Sequence, residues 1–141
     1  MVEGCEPSVS ANKRIVSVVD DDLEITKLFH IALYENVNGI SVVSFNDPVI
    51  ALEHFVANKD AYAVVIADLR MPGLNGLELL KKVKSSNPRV RTILMSAYNF
   101  DEDILFLKYM KEGIIDSSID KPVTINRLCQ RVKDELHVYQ F

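Results

Sequence analysis

The chain alternates short runs of apolar, β-branched residues with longer stretches whose apolar positions recur at helical spacing. Ile15 to Val19 (IVSVV) is nearly all apolar, as a strand covered on both faces requires. In Asp22 to Glu35, Ile25, Phe29 and Leu33 fall on one side of a helix, with Asp22 as its N-cap. Ile40 to Phe45 predicts a second strand. Asn46-Asp47-Pro48 opens a second helix that carries Ile50, Leu52, Phe55 and Val56 and ends near Asn58. Asp47 is its expected cap and Pro48 its first residue. Ala63 to Ala67 (AVVIA) predicts a third strand that stops at Asp68. Leu69 to Asn75 contains Pro72 and Gly73 and is irregular. Gly76 to Ser86 predicts a helix ending before Asn87-Pro88, and Arg91 to Ser96 a fourth strand. Asp101 to Glu112 predicts a helix with Gly113 just past its end. Ile114 to Ile119 is a weaker fifth strand, and Val123 to His137 a last helix beyond Lys121-Pro122.

Strands alternating with helices of this length make βαβ units, hence an α/β fold with a mostly parallel sheet covered on both faces. The 141 residues amount to one domain. The pattern assigns 1–13 to a flexible tail, 14–138 to the folded domain and 139–141 to the C-terminal end. A hydrophobic content of 48% suffices for a core and excludes a disordered chain. A net charge of −4 excludes nucleic-acid binding by bulk charge, so no nucleic-acid contact is expected of this domain. The two cysteines, Cys5 and Cys129, are too few and too far apart for a disulfide framework or a zinc site. Free thiols, the absence of a signal-peptide pattern and the absence of an apolar run of about 20 residues together predict a cytoplasmic protein without membrane contact.

In doubly wound sheets function collects where the strands end. The first strand ends in Asp20-Asp21-Asp22, the third in Asp68, the fourth in Ser96 and the fifth near Lys121. Carboxylates brought together repel one another unless a cation joins them, and a hard divalent ion such as Mg²⁺ prefers such oxygen ligands. A lysine and a hydroxyl beside them suit phosphoryl oxygens, and one carboxylate can act as the nucleophile. His30, His54 and His137 lie on helices away from this edge and read as surface or boundary residues.

Asp20-Asp21 after an apolar strand, Asp68 in DLRMPGLNGLELL, Ser96-Ala97 and Lys121-Pro122, in this order and spacing, resemble the CheY-like receiver domain of two-component response regulators. The resemblance runs from about Arg14 to His137. It implies a flavodoxin-like (βα)5 fold with a five-stranded parallel sheet of order 2-1-3-4-5 and a cis Lys121-Pro122 bond. It implies that Asp68 accepts a phosphoryl group from a phosphohistidine, on a histidine kinase or a histidine phosphotransfer protein, or from a small acyl phosphate. Asp20, Asp21, Asp68 and the backbone carbonyl of Arg70 would hold Mg²⁺ or Mn²⁺. Ser96 and Lys121 would contact phosphoryl oxygens, with Ala97 the small neighbour that keeps access open. Such a domain catalyses its own phosphorylation and dephosphorylation and works as a signalling module.

Two departures from the family pattern stand out. Receivers carry Tyr or Phe three residues before the lysine, where this chain has Ser118; this weakens the case for an aromatic switch and leaves a phosphorylation-independent pseudo-receiver as the alternative. Arg70 and Tyr98, each two residues beyond a site residue, are bulky and predict slow autodephosphorylation. An aspartyl-nucleophile phosphatase would need a second Asp where Arg70 stands, and a flavin or nucleotide carrier would need a Gly-rich loop after the first strand. Ile104, Leu105, Phe106, Leu107, Tyr109 and Met110 are too many for one helical stripe. Leu105, Phe106 or Tyr109 is therefore expected in an exposed patch, consistent with the family's use of the fourth and fifth helices for homodimers or effectors. Too few residues follow His137 for a DNA-binding output domain, so a transcriptional role would need another protein or a longer chain.

Overall fold

The computed structural model describes residues 13–97 and 104–140. Strands β1 (Arg14–Val19), β2 (Ile40–Phe45), β3 (Tyr62–Asp68), β4 (Arg91–Ser96) and β5 (Ser117–Asp120) form one sheet in the order β2-β1-β3-β4-β5. Every pairing is parallel. Between and after them come helices α1 (Leu23–Asn36), α2 (Pro48–Ala57), α3 (Gly76–Ser86), α4 (Ile104–Lys111) and α5 (Ile125–Gln140). This is the doubly wound arrangement that the alternation and the resemblance imply.

Strand side chains alternate between two cores, as the pleat demands. Val16, Val18, Ile66, Ile93 and Met95 pack against α1 and α5 through Phe29, Leu33, Leu128 and Val132. Val19, Val65, Ala67 and Leu94 face the opposite way, against Phe55 of α2, Leu80 of α3 and Phe106 of α4. All of β3 is buried, which explains its unbroken apolar run. The expected caps are in place. Asp22 accepts from the N–H groups of Glu24 and Ile25, and Asp47 from that of Val49. Asn75 and Glu78 add a reciprocal capping box at the start of α3.

Three expectations change. Ile114 and Ile115 do not open β5. After Gly113, whose φ is +79°, their N–H groups turn back onto the Tyr109 carbonyl and close α4. The last helix starts at Ile125, because Thr124 Oγ1 accepts from the Arg127 N–H at 3.2 Å. On α4, Phe106 and Tyr109 are buried rather than exposed; three residues apart, they share the side that meets the core. The exposed apolar residues there are Ile104, Leu105, Leu107 and Met110. Residues 101–103, where the sequence starts this helix, lie outside those described.

The end of the sheet opposite the carboxylates is held by partly buried charge. Asp116 pairs with Lys84 of α3 at 2.7 Å and with Arg91 of β4 at 3.3 Å, and accepts the Thr92 N–H at 2.9 Å. Arg91 also meets Glu135 of α5 at 2.7 Å, and Glu135 accepts from Ser117 Oγ at 2.7 Å. The network ties the start of β5, the short edge strand that leads to Lys121, to α3 and α5. No helix of the described residues is long and apolar enough to cross a membrane.

Candidate functional site

At the C-terminal edge each strand is continued by one further bond to its neighbour. The Asp20 N–H donates to Phe45 O at 3.1 Å, that of Leu69 to Met95 O at 3.0 Å, and that of Lys121 to Ser96 O at 3.0 Å. The residues singled out from the sequence are therefore brought to one place. Asp20, Asp68 and Ser96 are buried, while Asp21 and Lys121 face solvent. One carboxylate oxygen from each of Asp20, Asp21 and Asp68 lies within 4.8 Å of the other two. Lys121 Nζ is 2.7 Å from Asp68 Oδ1 and 4.0 Å from Asp20 Oδ2.

Asp20 is the most constrained member. It is only 2% exposed. Its Oδ1 accepts the Asp22 N–H at 2.9 Å, but its Oδ2 is buried and accepts no hydrogen bond among the described residues. Burial is the main cause that lifts its pKa from 3.8 to about 6. The Asp22 N–H and Lys121 oppose the shift, and the charges of Asp68 and Asp21 add to it. A desolvated carboxylate with one orphaned oxygen, clustered with two further carboxylates, fits a divalent cation. A cavity of about 200 Å³ opens beside it, lined by Asp68, Leu69, Arg70, Ser96, Ala97 and Lys121. At roughly 30 Å³ per water molecule, it has room for a phosphoryl group and solvent. Arg70 is exposed at its rim, the Lys121-Pro122 bond is cis, and Tyr98 lies outside the described residues.

The DLRMPGLNG segment has a steric reason for its glycine at 76. The Gly76 N–H donates to Leu69 O at 2.9 Å, drawing α3 down onto the Asp68 backbone. A Cβ on Gly76 would lie 2.4 Å from the Asp68 carbonyl oxygen and 2.8 Å from Leu94 Cδ1. Gly76→Ala should therefore destabilise the protein by about 2 kcal/mol, overpacking outweighing the helix propensity that alanine gains. Urea denaturation measures this, and an unchanged or higher midpoint would show that α3 can slide clear of Asp68.

Two residues that bear on the site were missed from the sequence. Asn46 belongs to the predicted helix start and Thr26 lies within the first predicted helix, yet Asn46 Nδ2 donates to Asp20 O at 2.8 Å and to Thr26 Oγ1 at 2.9 Å. The signal that could have found Asn46 is its place at the end of β2, which parallel pairing sets beside the end of β1.

The sequence model of the response regulator receiver domain matches residues 16–133. The DNA-binding transcriptional regulator NtrC of Escherichia coli (strain K12) is 32% identical over 126 residues, an alignment covering 89% of this chain and 25% of NtrC. The chain thus spans about a quarter of that relative's length. The receiver domain of the Francisella response regulator 1452 superposes with a TM-score of 0.73 at 31% identity, covering 89% of this chain and 98% of that one. A receiver domain protein of Clostridium thermocellum reaches a TM-score of 0.80 at 24% identity, over 90% of this chain and 97% of the other, a likeness of fold. With the strand order, the acidic edge and the matched span in agreement, this chain belongs to the receiver domains of two-component response regulators.

Proposed function

We propose that this receiver is an Mg²⁺-dependent phosphoacceptor, with Asp68 as the residue modified and the unit of residues 14–138 as the switch. The observation that carries the reading is the buried Asp20 carboxylate, its Oδ2 without a hydrogen bond, clustered with those of Asp21 and Asp68 beside Lys121. Asp20, Asp21, Asp68 and the backbone carbonyl of Arg70 would hold Mg²⁺ or Mn²⁺. Bound there, a hard divalent ion supplies positive charge against the carboxylates and the transferring phosphoryl oxygens.

The rest falls to the chain's own side chains. An Asp68 carboxylate oxygen attacks phosphorus in line; the new O–P bond forms as the P–N bond of a phosphohistidine, or the P–O bond of an acyl phosphate, breaks and its electron pair leaves with the donor. Lys121 follows the charge onto a phosphoryl oxygen, a role supported by its 2.7 Å ion pair with Asp68. Ser96 supplies a hydroxyl to another. Arg70, at the cavity rim, narrows the approach of hydrolytic water and supports a long-lived adduct. The donor is a histidine kinase or histidine phosphotransfer protein in the cytoplasm. The output is a change of partner, a second copy or an effector, at the face of α4 and α5, where Ile104, Leu105, Leu107 and Met110 are exposed.

A second reading, a pseudo-receiver that binds partners without phosphorylation, is favoured by Ser118, half-buried on β5 where the family carries an aromatic. Intact mass separates the two. Incubation with Mg²⁺ and a small phosphodonor should add one phosphoryl group to the wild type and none to Asp68→Asn, and the adduct should decay slowly. No adduct with any donor would sink the phosphoacceptor reading in favour of the second.

A further inference from the structure

We infer that Asn46 is a positioning residue for the acidic cluster, fixing from β2 the peptide plane that joins Asp20 to Asp21. The inference rests on the cluster holding a divalent cation, as proposed above. A carbonyl can only accept, so the Asn46 side chain must turn its NH₂ group toward Asp20 O, as it does at 2.8 Å. The other amide hydrogen goes to Thr26 Oγ1 at 2.9 Å, and Thr26, itself buried, donates on to Leu23 O at 3.0 Å. One amide thus links the end of β2, the turn after β1 and the first turn of α1.

The Asp20 carbonyl is an unusual place for a side-chain bond to matter. It belongs to the same rigid peptide unit as the Asp21 N–H, so its direction sets the angle at which the Asp21 carboxylate leaves the turn relative to that of Asp20. The preceding peptide is already held, because the Asp20 N–H donates to Phe45 O at 3.1 Å. The following one is held through Asp22, whose N–H donates to Asp20 Oδ1 at 2.9 Å. Asn46 supplies the remaining restraint on the turn. Without it, the Asp20–Asp21 peptide can rotate, and the exposed Asp21 carboxylate loses its fixed relation to the buried one.

The test is the affinity for MgCl₂ alone, measured by calorimetry on the folded chain, together with the amide resonance of Asp21. Asn46→Ala should weaken Mg²⁺ binding about tenfold, in the range expected when an outer-shell partner is lost. The Asp21 amide signal should shift, and phosphoryl acceptance should need about tenfold more Mg²⁺ to reach its plateau. Asn46→Leu, of similar volume and without a donor, should behave in the same way and serves if the alanine variant does not fold. Equal Mg²⁺ affinity in the wild type and the folded variants would overturn the role of Asn46 and leave the metal site standing. A wild type that binds no Mg²⁺ would overturn the metal reading itself, and this inference with it.

Discussion

In the absence of metal, Asp20→Asn should be more stable than the wild type by about 2 kcal/mol at pH 8, and Mg²⁺ should reverse the order. The cause is the buried carboxylate, whose pKa rises to about 6 in the folded protein from 3.8. Below about pH 3.8 Asp20 is protonated in both states and costs nothing. Between that value and about 6 the folded state keeps a proton that the unfolded chain has released. Stability is therefore lost as the pH rises through this window. A two-unit shift corresponds to about 3 kcal/mol, part of which the partly solvated edge recovers. Asparagine cannot ionise, so the variant should lack this slope. Saturating Mg²⁺ favours the ionised wild type and should raise its urea midpoint, with little effect on Asp20→Asn. Superimposable pH profiles for the two metal-free proteins would show that Asp20 ionises without cost.

The second large effect lies at the other end of the sheet. Asp116→Ala should lower stability by about 3 kcal/mol, because removing the shared acceptor of a partly buried charge network leaves its partners without it. Lys84 loses its 2.7 Å ion pair and the Thr92 N–H its acceptor, while Arg91 keeps Glu135. For a domain of this size the melting temperature should fall by roughly 10 °C, as read by calorimetry. A fall of only a degree or two would mean that the network behaves like an exposed ion pair. Because β5 leads directly into Lys121, the same variant tests whether this anchor matters to an edge a strand length away.

Most of the architecture was legible because the strands that build it are buried on both faces. IVSVV, AVVIA and RTILMS leave no polar alternation to confuse with a surface strand, and Asp22 and Asp47 announce their helices by cap chemistry alone. The place of the candidate site was legible because its residues close those strands or directly follow them, so topology converts their order into proximity. What failed was local. Ile114 and Ile115 have the composition of a strand, but a left-handed glycine bends them back onto α4. Phe106 and Tyr109 could not be told from Leu105 and Leu107 until the core fixed which side of the helix faces inward. Thr26 carries nothing in its spacing that marks it, and Asn46 only its place at the end of β2, which gains meaning once β1 and β2 are in register.

The close seating of α3 on the strand that carries Asp68 has a mechanical consequence. With Leu94 on one side and the Asp68 carbonyl beneath, Gly76 leaves no slack between strand and helix. Movement of the Asp68 main chain toward α3 meets the helix backbone directly, because Gly76 has no side chain of its own to yield. Strand end and helix start therefore act as one stiff lever. In a chain whose fifth strand offers Ser118 instead of a large ring, a shift of the Asp68 main chain should reach α3 without any residue having to swing.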